Sequence, residues 1–221
     1  MEYGLDFSWL LEALADLVRG AGATLLLIFV GGIAGCFLSI LGAAGRRSGN
    51  RALHFLIGAY VELIRNTPFL VQLFFIFFGL PSVGIRLDPI VAAMLAMTIN
   101  LAAYGTEIVG AGLDAVPVGQ SEAGSALGLR PRQIFIRIVL PQALRVIFPA
   151  LTSQVVIMML ESAAVSQIAV PELTYQADML QSRTFRSFET YLVVAFIYLA
   201  LSMLLRRAMV AGGQRVLGGI S

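Results

Sequence analysis

Residues 21–44 form a run of 24 residues without one charged side chain. At a rise of about 1.5 Å per residue, a helix of that length crosses the roughly 30 Å hydrocarbon core of a bilayer. In lipid every backbone polar group must find a partner within the protein, which leaves helices and closed barrels as the only spanning shapes. The rest of the chain agrees with a helix: 58% of its 221 residues are apolar and 13% are charged. Soluble domains run about 45–50% and about 25%. The sequence therefore predicts an all-α integral membrane protein.

Further spans are expected at residues 53–80, 89–113, 146–170 and 191–205, making five. The last has only 15 uncharged residues, so Arg206 and Arg207 are expected to snorkel from its end to the headgroups. The segments outside the spans hold one, three, one, four, two and three arginines in chain order. Positive side chains gather on the cytoplasmic side, so this alternation puts the N-terminus outside and the C-terminus in the cytoplasm. The residues ahead of the first span carry Glu2, Asp6, Glu12 and Asp16, the wrong sign for the start of a cleaved signal peptide. Phe7, Leu10, Leu11, Leu14, Leu17 and Val18 recur there at helical spacing beside Trp9, which predicts an interfacial N-terminal helix. Gly22, Gly31, Gly32, Gly35 and Gly42 suit close helix approach, either inside one subunit or between two. With no repeat and no linker, residues 1–221 read as a single transmembrane domain.

Residue counts remove several chemistries. All 15 basic residues are arginine, and a chain without lysine cannot complete a phosphate-binding P-loop, form a Schiff base or use a Ser-Lys dyad. One cysteine, Cys36, and one histidine, His54, exclude a disulfide framework and a His/Cys metal cluster, so no metal site is expected. The net charge of +2 rests on arginines scattered among apolar runs, unlike a nucleic-acid-binding surface.

Ionisable groups inside the spans are the next signal, since each costs at least about 2.5–3.5 kcal/mol at mid-bilayer and marks a partner, a cavity or a path. Glu62 and Arg65 stand three apart and are expected to pair structurally. Thr67 and Pro68 follow, and a proline there frees a carbonyl that the threonine hydroxyl can satisfy, giving a kink or a gate. Glu107 either pairs with Arg65 across the bundle or faces water near the inner end. Glu161 is followed by Ser162, Ala163 and Ala164 with no basic residue nearby. Two readings fit it: a carboxylate that receives a cationic group from a ligand, or one that is protonated or paired with a partner subunit. Asn100 and Tyr104, four apart on one helix face, either add hydrogen bonds to the same pocket or hold helices together.

The long polar stretch at residues 114–145 is predicted to form two short helices at an angle, separated by Gly128. Pro131 suits the first turn of the second helix, and Pro141 is expected to end it before the fourth span. Ile134, Phe135, Ile138, Val139 and Leu140 would hold this elbow against the membrane. Within it, Glu122, Ala123, Gly124, Gly128 and the Ile138-x-Leu140-Pro141 run resemble the EAA loop of inner-membrane permease subunits of ATP-binding cassette importers. Further stretches extend the likeness: Tyr60-Val61-Glu62, Arg65, Thr67-Pro68, Ala103-Tyr104, Glu107-Ile108, Val116-Pro117, Gly119-Gln120, Pro141-Gln142-Ala143-Leu144 and Pro171-Glu172-Leu173. Over roughly residues 18–210 the sequence is similar to the polar amino acid uptake branch of that family.

The resemblance implies a permease subunit, not an enzyme, that works with a second permease subunit, identical or paralogous. Two cytoplasmic ATP-binding subunits and an extracytoplasmic solute-binding protein complete the assembly. ATP and Mg would be bound by the partner ATPase, and this chain would need no cofactor, which agrees with its missing lysine. Glu122, Ala123, Gly124, Gly128 and Arg130 would dock on the ATPase, although Arg130 and Arg132 equally suit lipid headgroups. Glu161, Ser162, Asn100 and Tyr104 would bind a polar or basic amino acid, with Glu62, Arg65, Thr67, Pro68 and Glu107 structural or gating. Two departures stand out: Gly110 replaces an arginine three positions after Glu107, and Leu160 stands where relatives carry a lysine before the acid. The rival reading is an ion-gradient-driven carrier or channel without an ATPase. An intramembrane enzyme would need a catalytic cluster that the lone His54 does not provide.

Overall fold

The computed structural model describes residues 5–217, so Glu2 lies outside the described residues, among which there is no β-strand. Helix α1 (Leu10–Arg46) runs 37 residues without a break. Asp6 starts it by accepting the Ser8 N–H on its carboxylate at 2.9 Å and Trp9 Nε1 on its carbonyl at 3.0 Å. The stretch around Trp9 is therefore the first part of the spanning helix, and no separate interfacial helix forms. No proline interrupts residues 10–46, and glycines alone do not break a helix whose faces are packed. Trp9, Ala13 and Leu17 turn inward onto Leu173, Ala177 and Val194, while Leu11, Leu14 and Val18 stay exposed. The amphipathic pattern marks a packed face here, not a membrane surface.

The second expected span is two helices. α2 (Arg51–Arg65) is capped by Asn50, which accepts from the Ala52 and Leu53 N–H groups at 3.0 and 3.2 Å. α3 (Phe69–Phe74) follows, then a π turn at Phe75–Gly79 and a 3-10 turn at Leu80–Val83. The two halves meet at 110°. Pro68 has no N–H to donate and drives Thr67 out of the helical region, so the ladder ends at Arg65. Thr67 Oγ1 closes that end by donating to the Leu63 carbonyl at 2.9 Å.

α4 (Pro89–Asp114) is capped by Asp88, which accepts the Ile90 N–H at 2.9 Å, with Pro89 in the first turn. It is the central helix: Ala92, Ala93, Ala96, Met97, Leu101 and Ala103 are wholly buried. α5 (Val118–Ala126) and the single turn α6 (Pro131–Ile134) form the elbow. A π turn at Phe135–Val139 joins α6 to α7 (Leu140–Glu161), so the second arm of the elbow and the span are continuous. Pro141 does not end a helix as expected; it sits in the first turn of α7, where a missing N–H is tolerated and the widened π turn precedes its ring. A 3-10 stretch at Ser162–Ile168 leads to α8 (Leu173–Thr184), and α9 (Ser187–Leu217) is far longer than the expected 15 residues. Among the described residues, four helical segments are long and apolar enough to span a bilayer, five if the bent pair counts as one.

Helices α1 and α4 meet along a seam of small residues. A Cβ on Gly35 would stand 2.8 Å from Leu101 side-chain atoms, one on Gly42 would overlap Thr106, and one on Gly105 would overlap Ser39. The seam is dovetailed, glycine against side chain on both helices, and without a hydrophobic force between helices in lipid such contact supplies the association. This settles Gly31, Gly35 and Gly42 as packing within the chain, whereas Gly22 has nothing within 4 Å.

Candidate functional site

Polar groups collect where the end of α1 meets α2 and α4. Glu107 of α4 pairs with Arg46 of α1, and Arg65 of α2 stands second, 3.9 Å from Oε2. The expected cross-helix partner is present but is not the principal one. Arg65 does not pair with Glu62, and the pair predicted from their spacing is absent among the described residues. Arg65 instead lies 5.5 Å from the centroid of the Tyr104 ring, and the Tyr104 hydroxyl donates to the Arg65 carbonyl at 3.5 Å. An exposed pair at this spacing is worth only about 0.2–0.5 kcal/mol, less than a ring stack combined with a second carboxylate. Arg47 fills the place left by Gly110: its Nη2 donates to the Gly110 carbonyl at 2.8 Å and to Asp114 Oδ1 at 2.6 Å. A side chain on Gly110 would crowd that guanidinium, 3.4 Å away.

One turn deeper, Asn100 Nδ2 donates to Gln72 Oε1 at 3.0 Å. Gln72 Nε2 in turn donates to the carbonyls of Ile64 and Thr67 at 2.7 and 2.9 Å and to Thr67 Oγ1 at 3.0 Å. The buried amide of Gln72 thus satisfies the backbone that Pro68 sets free and ties the break to α4. Asn100 and Tyr104 do share a face, as their spacing predicts, yet each serves the broken helix: one through Gln72, the other through Arg65. Gln72 escaped the sequence reading, although a lone amide inside the apolar run at residues 69–78 is a signal for it.

Glu161 ends α7, and its Oε2 is buried without a hydrogen-bond partner. Ser162 is also buried, but its hydroxyl turns back to the Met159 carbonyl at 2.6 Å. No hydrogen bond described joins Glu161 to Asn100, Tyr104 or Ser162. A second buried carboxylate went unremarked as a charged group in the sequence. Glu172, wholly buried, caps α8 through the Tyr175 N–H at 2.9 Å and accepts from the Tyr198 hydroxyl at 2.7 Å and Thr24 Oγ1 at 3.3 Å. Its place just before a helix, after Pro171, is the cap signal that was available.

The elbow is closed by a glycine-dependent turn. Gly128 adopts φ +75°, its N–H donates to Ser125 at 2.9 Å, and the Leu129 N–H donates to the Gly124 carbonyl at 3.1 Å. These paired bonds end α5 in a left-handed cap that a residue with Cβ enters only at a cost. Gly124 is buried, and a Cβ there would stand 3.0 Å from both Ile134 and Ile138, so it lets α5 fold onto the following segment and does not face outward. Glu122, Ala123, Gly128 and Arg130 are exposed, and Gln133 Oε1 accepts the Arg130 N–H at 2.8 Å. Leu127, 79% exposed beside them, is a large apolar group at the apex that the sequence reading did not single out.

Comparison with known proteins assigns this architecture. Residues 31–218 match the family described as binding-protein-dependent transport system inner membrane component. The chain is 37% identical over 174 residues to the L-cystine transport system permease protein TcyB of Bacillus subtilis (strain 168), covering 78% of this chain and 74% of that one. It is 32% identical over 202 residues to the arginine transport system permease protein ArtQ of the same organism, covering 91% and 92%. It also superposes on a chain in the crystal structure of an amino acid ABC transporter with histidines at a TM-score of 0.89, with 34% identity, covering 96% of this chain and 100% of that one. The chain therefore belongs to the family of inner-membrane permease subunits of binding-protein-dependent ABC importers, as a multi-pass membrane protein.

Proposed function

We propose that this permease subunit moves a polar or cationic amino acid inward by alternating access, with its N-terminus outside and its C-terminus in the cytoplasm. A second permease subunit completes the path, a solute-binding protein delivers the ligand, and two ATPase subunits bind ATP and Mg. The elbow is the handle: Glu122, Ala123 and Leu127 are exposed on its first arm, α5, and beyond the Gly128 turn its second arm, α6, leads without interruption into α7. Motion of the ATPase at α5 then passes through its packing of Gly124 on Ile134 and Ile138 to the segment that runs on to Glu161.

The observation that carries the substrate reading is the buried, unpartnered Oε2 of Glu161. A carboxylate oxygen withdrawn from water without a donor is costly unless a donor arrives, and charge-assisted bonds from an ammonium or guanidinium are the strong kind. Relatives named for L-cystine and arginine handle molecules that carry an α-ammonium, and arginine adds a guanidinium.

The test is uptake by proteoliposomes holding this chain with its ATPase and binding protein. Uptake that requires internal ATP and survives collapse of ion gradients is expected. Uptake by the purified chain alone, driven by an ion gradient, would establish the rival carrier instead.

A further inference from the structure

Glu62 and Arg65 open into one cavity of about 440 Å³ at the junction of α1, α2 and α4, with Arg46, Tyr104 and Glu107 on its other walls. That volume falls in the small-molecule range of about 300–1,000 Å³. Two arginines and two glutamates line it, but they are not paired off evenly. Arg46 takes Glu107, which leaves the Arg65 guanidinium 3.9 Å from that carboxylate, beyond hydrogen-bond reach, and lying over Tyr104. Among the described residues the Arg65 guanidinium donates no hydrogen bond, and the Glu62 carboxylate has neither a hydrogen bond nor an ion pair. One cation and one anion therefore stand on neighbouring turns of α2, held apart and facing the same space.

We propose that this cavity is a second amino acid site, distinct from Glu161, in which Arg65 receives the α-carboxylate and Glu62 the α-ammonium. A planar guanidinium binds a carboxylate through two parallel N–H groups, and the Tyr104 ring holds its plane in one orientation. The ammonium needs an acceptor a few ångströms away, and Glu62, one turn back on the same helix, supplies it. The side chain of the ligand is left toward the open part of the cavity, so the site recognises the amino acid backbone and tolerates different side chains. At the end of α1 marked by Arg46, on the side assigned above to the cytoplasm, it is a station for substrate leaving the bundle. This inference rests on the transport reading above.

The test uses the complex assembled with its ATPase subunits in nanodiscs of phosphatidylcholine and phosphatidylglycerol, in an E161Q background that removes the first site. The probe is a uniformly 14C-labelled mixture of protein amino acids, and the retained species are identified by chromatography. E161Q should retain label, while E161Q/R65Q and E161Q/E62Q should each lose about tenfold in apparent affinity. R65K should restore part of it, and N-acetylated amino acids should not compete. Equal retention by R65Q or E62Q, or no retention by E161Q, overturns the proposal. A phosphatidylethanolamine headgroup carries the same pair of charges, so displacement of label by that lipid, dependent on Arg65, would assign the cavity to lipid and also overturn it. ATPase stimulation by the solute-binding protein in the same wild-type preparation reports separately on the transport reading.

Discussion

Glu172 and Glu161 are both carboxylates withdrawn into the bundle, yet their surroundings are opposite. Glu172 accepts from Thr24 of α1, Tyr198 of α9 and the backbone of α8, and so staples three helices together. Glu161 has a buried oxygen with no donor at all. Burial alone does not set the two acids apart. Hydrogen-bond saturation does, because a saturated carboxylate has nothing left to offer a ligand, and an unsaturated one destabilises the empty state.

Glu172→Ala should have the largest effect. It removes the acceptor of the Thr24 hydroxyl and of a helix N–H, each worth about 1–3 kcal/mol when left unsatisfied, and leaves the Tyr198 hydroxyl its bond with Thr174, so recovery of folded complex in size-exclusion chromatography should collapse. Glu161→Leu should leave the yield unchanged or improve it, and a comparable collapse would erase the contrast between the two acids. Gly128→Pro comes next, read at the elbow: proline fixes φ near −65° where the chain holds +75°. Stimulation of the ATPase should be lost while membrane insertion continues, and normal stimulation would remove the elbow from the account.

Glycines two residues apart sharpen the same comparison at smaller scale. Gly20 packs against α8 just after Glu172, and a Cβ there would stand 2.8 Å from Gln176 and 2.9 Å from the backbone of Leu173. Gly20→Ala should cost about 1–3 kcal/mol in thermal unfolding of the complex, as overpacking does. Gly22→Ala meets nothing within 4 Å and should be neutral or stabilising by up to about 1 kcal/mol. A loss of assembly in Gly22→Ala would show that this face is covered by a second subunit. Arg19→Ala should change least, below about 0.5 kcal/mol, since its pair with Asp16 at 3.6 Å is solvent-exposed.

What the sequence disclosed follows from how far apart the determinants lie. Spans were legible because lipid forces helices on any long uncharged run, and the elbow because Gly128 and Pro131 punctuate the chain locally. Glu161 stood out for want of a nearby cation in the sequence, a local feature that needs no knowledge of the fold. The break at Pro68 was legible as a kink, but the 110° between its halves was not, and neither was the Gln72–Asn100 bond that ties it to α4 across 28 residues. Arg46 looked like a loop charge because Glu107 lies 61 residues away, and Glu172 looked like a loop acid because Thr24 lies 148 residues away. The supposed interfacial helix failed for a related reason: the apolar face around Trp9 is matched by α8 and α9, which no local pattern reveals.

The most direct measurement compares ATP-driven uptake by proteoliposomes carrying the wild-type complex or Glu161→Gln, with copurification of the ATPase as the check on assembly. Uptake of the cationic or zwitterionic substrate should fall by about tenfold or more, as loss of one charge-assisted bond implies, with assembly unchanged. Wild-type uptake in Glu161→Gln would contradict the claim that the unsaturated acid receives the ligand.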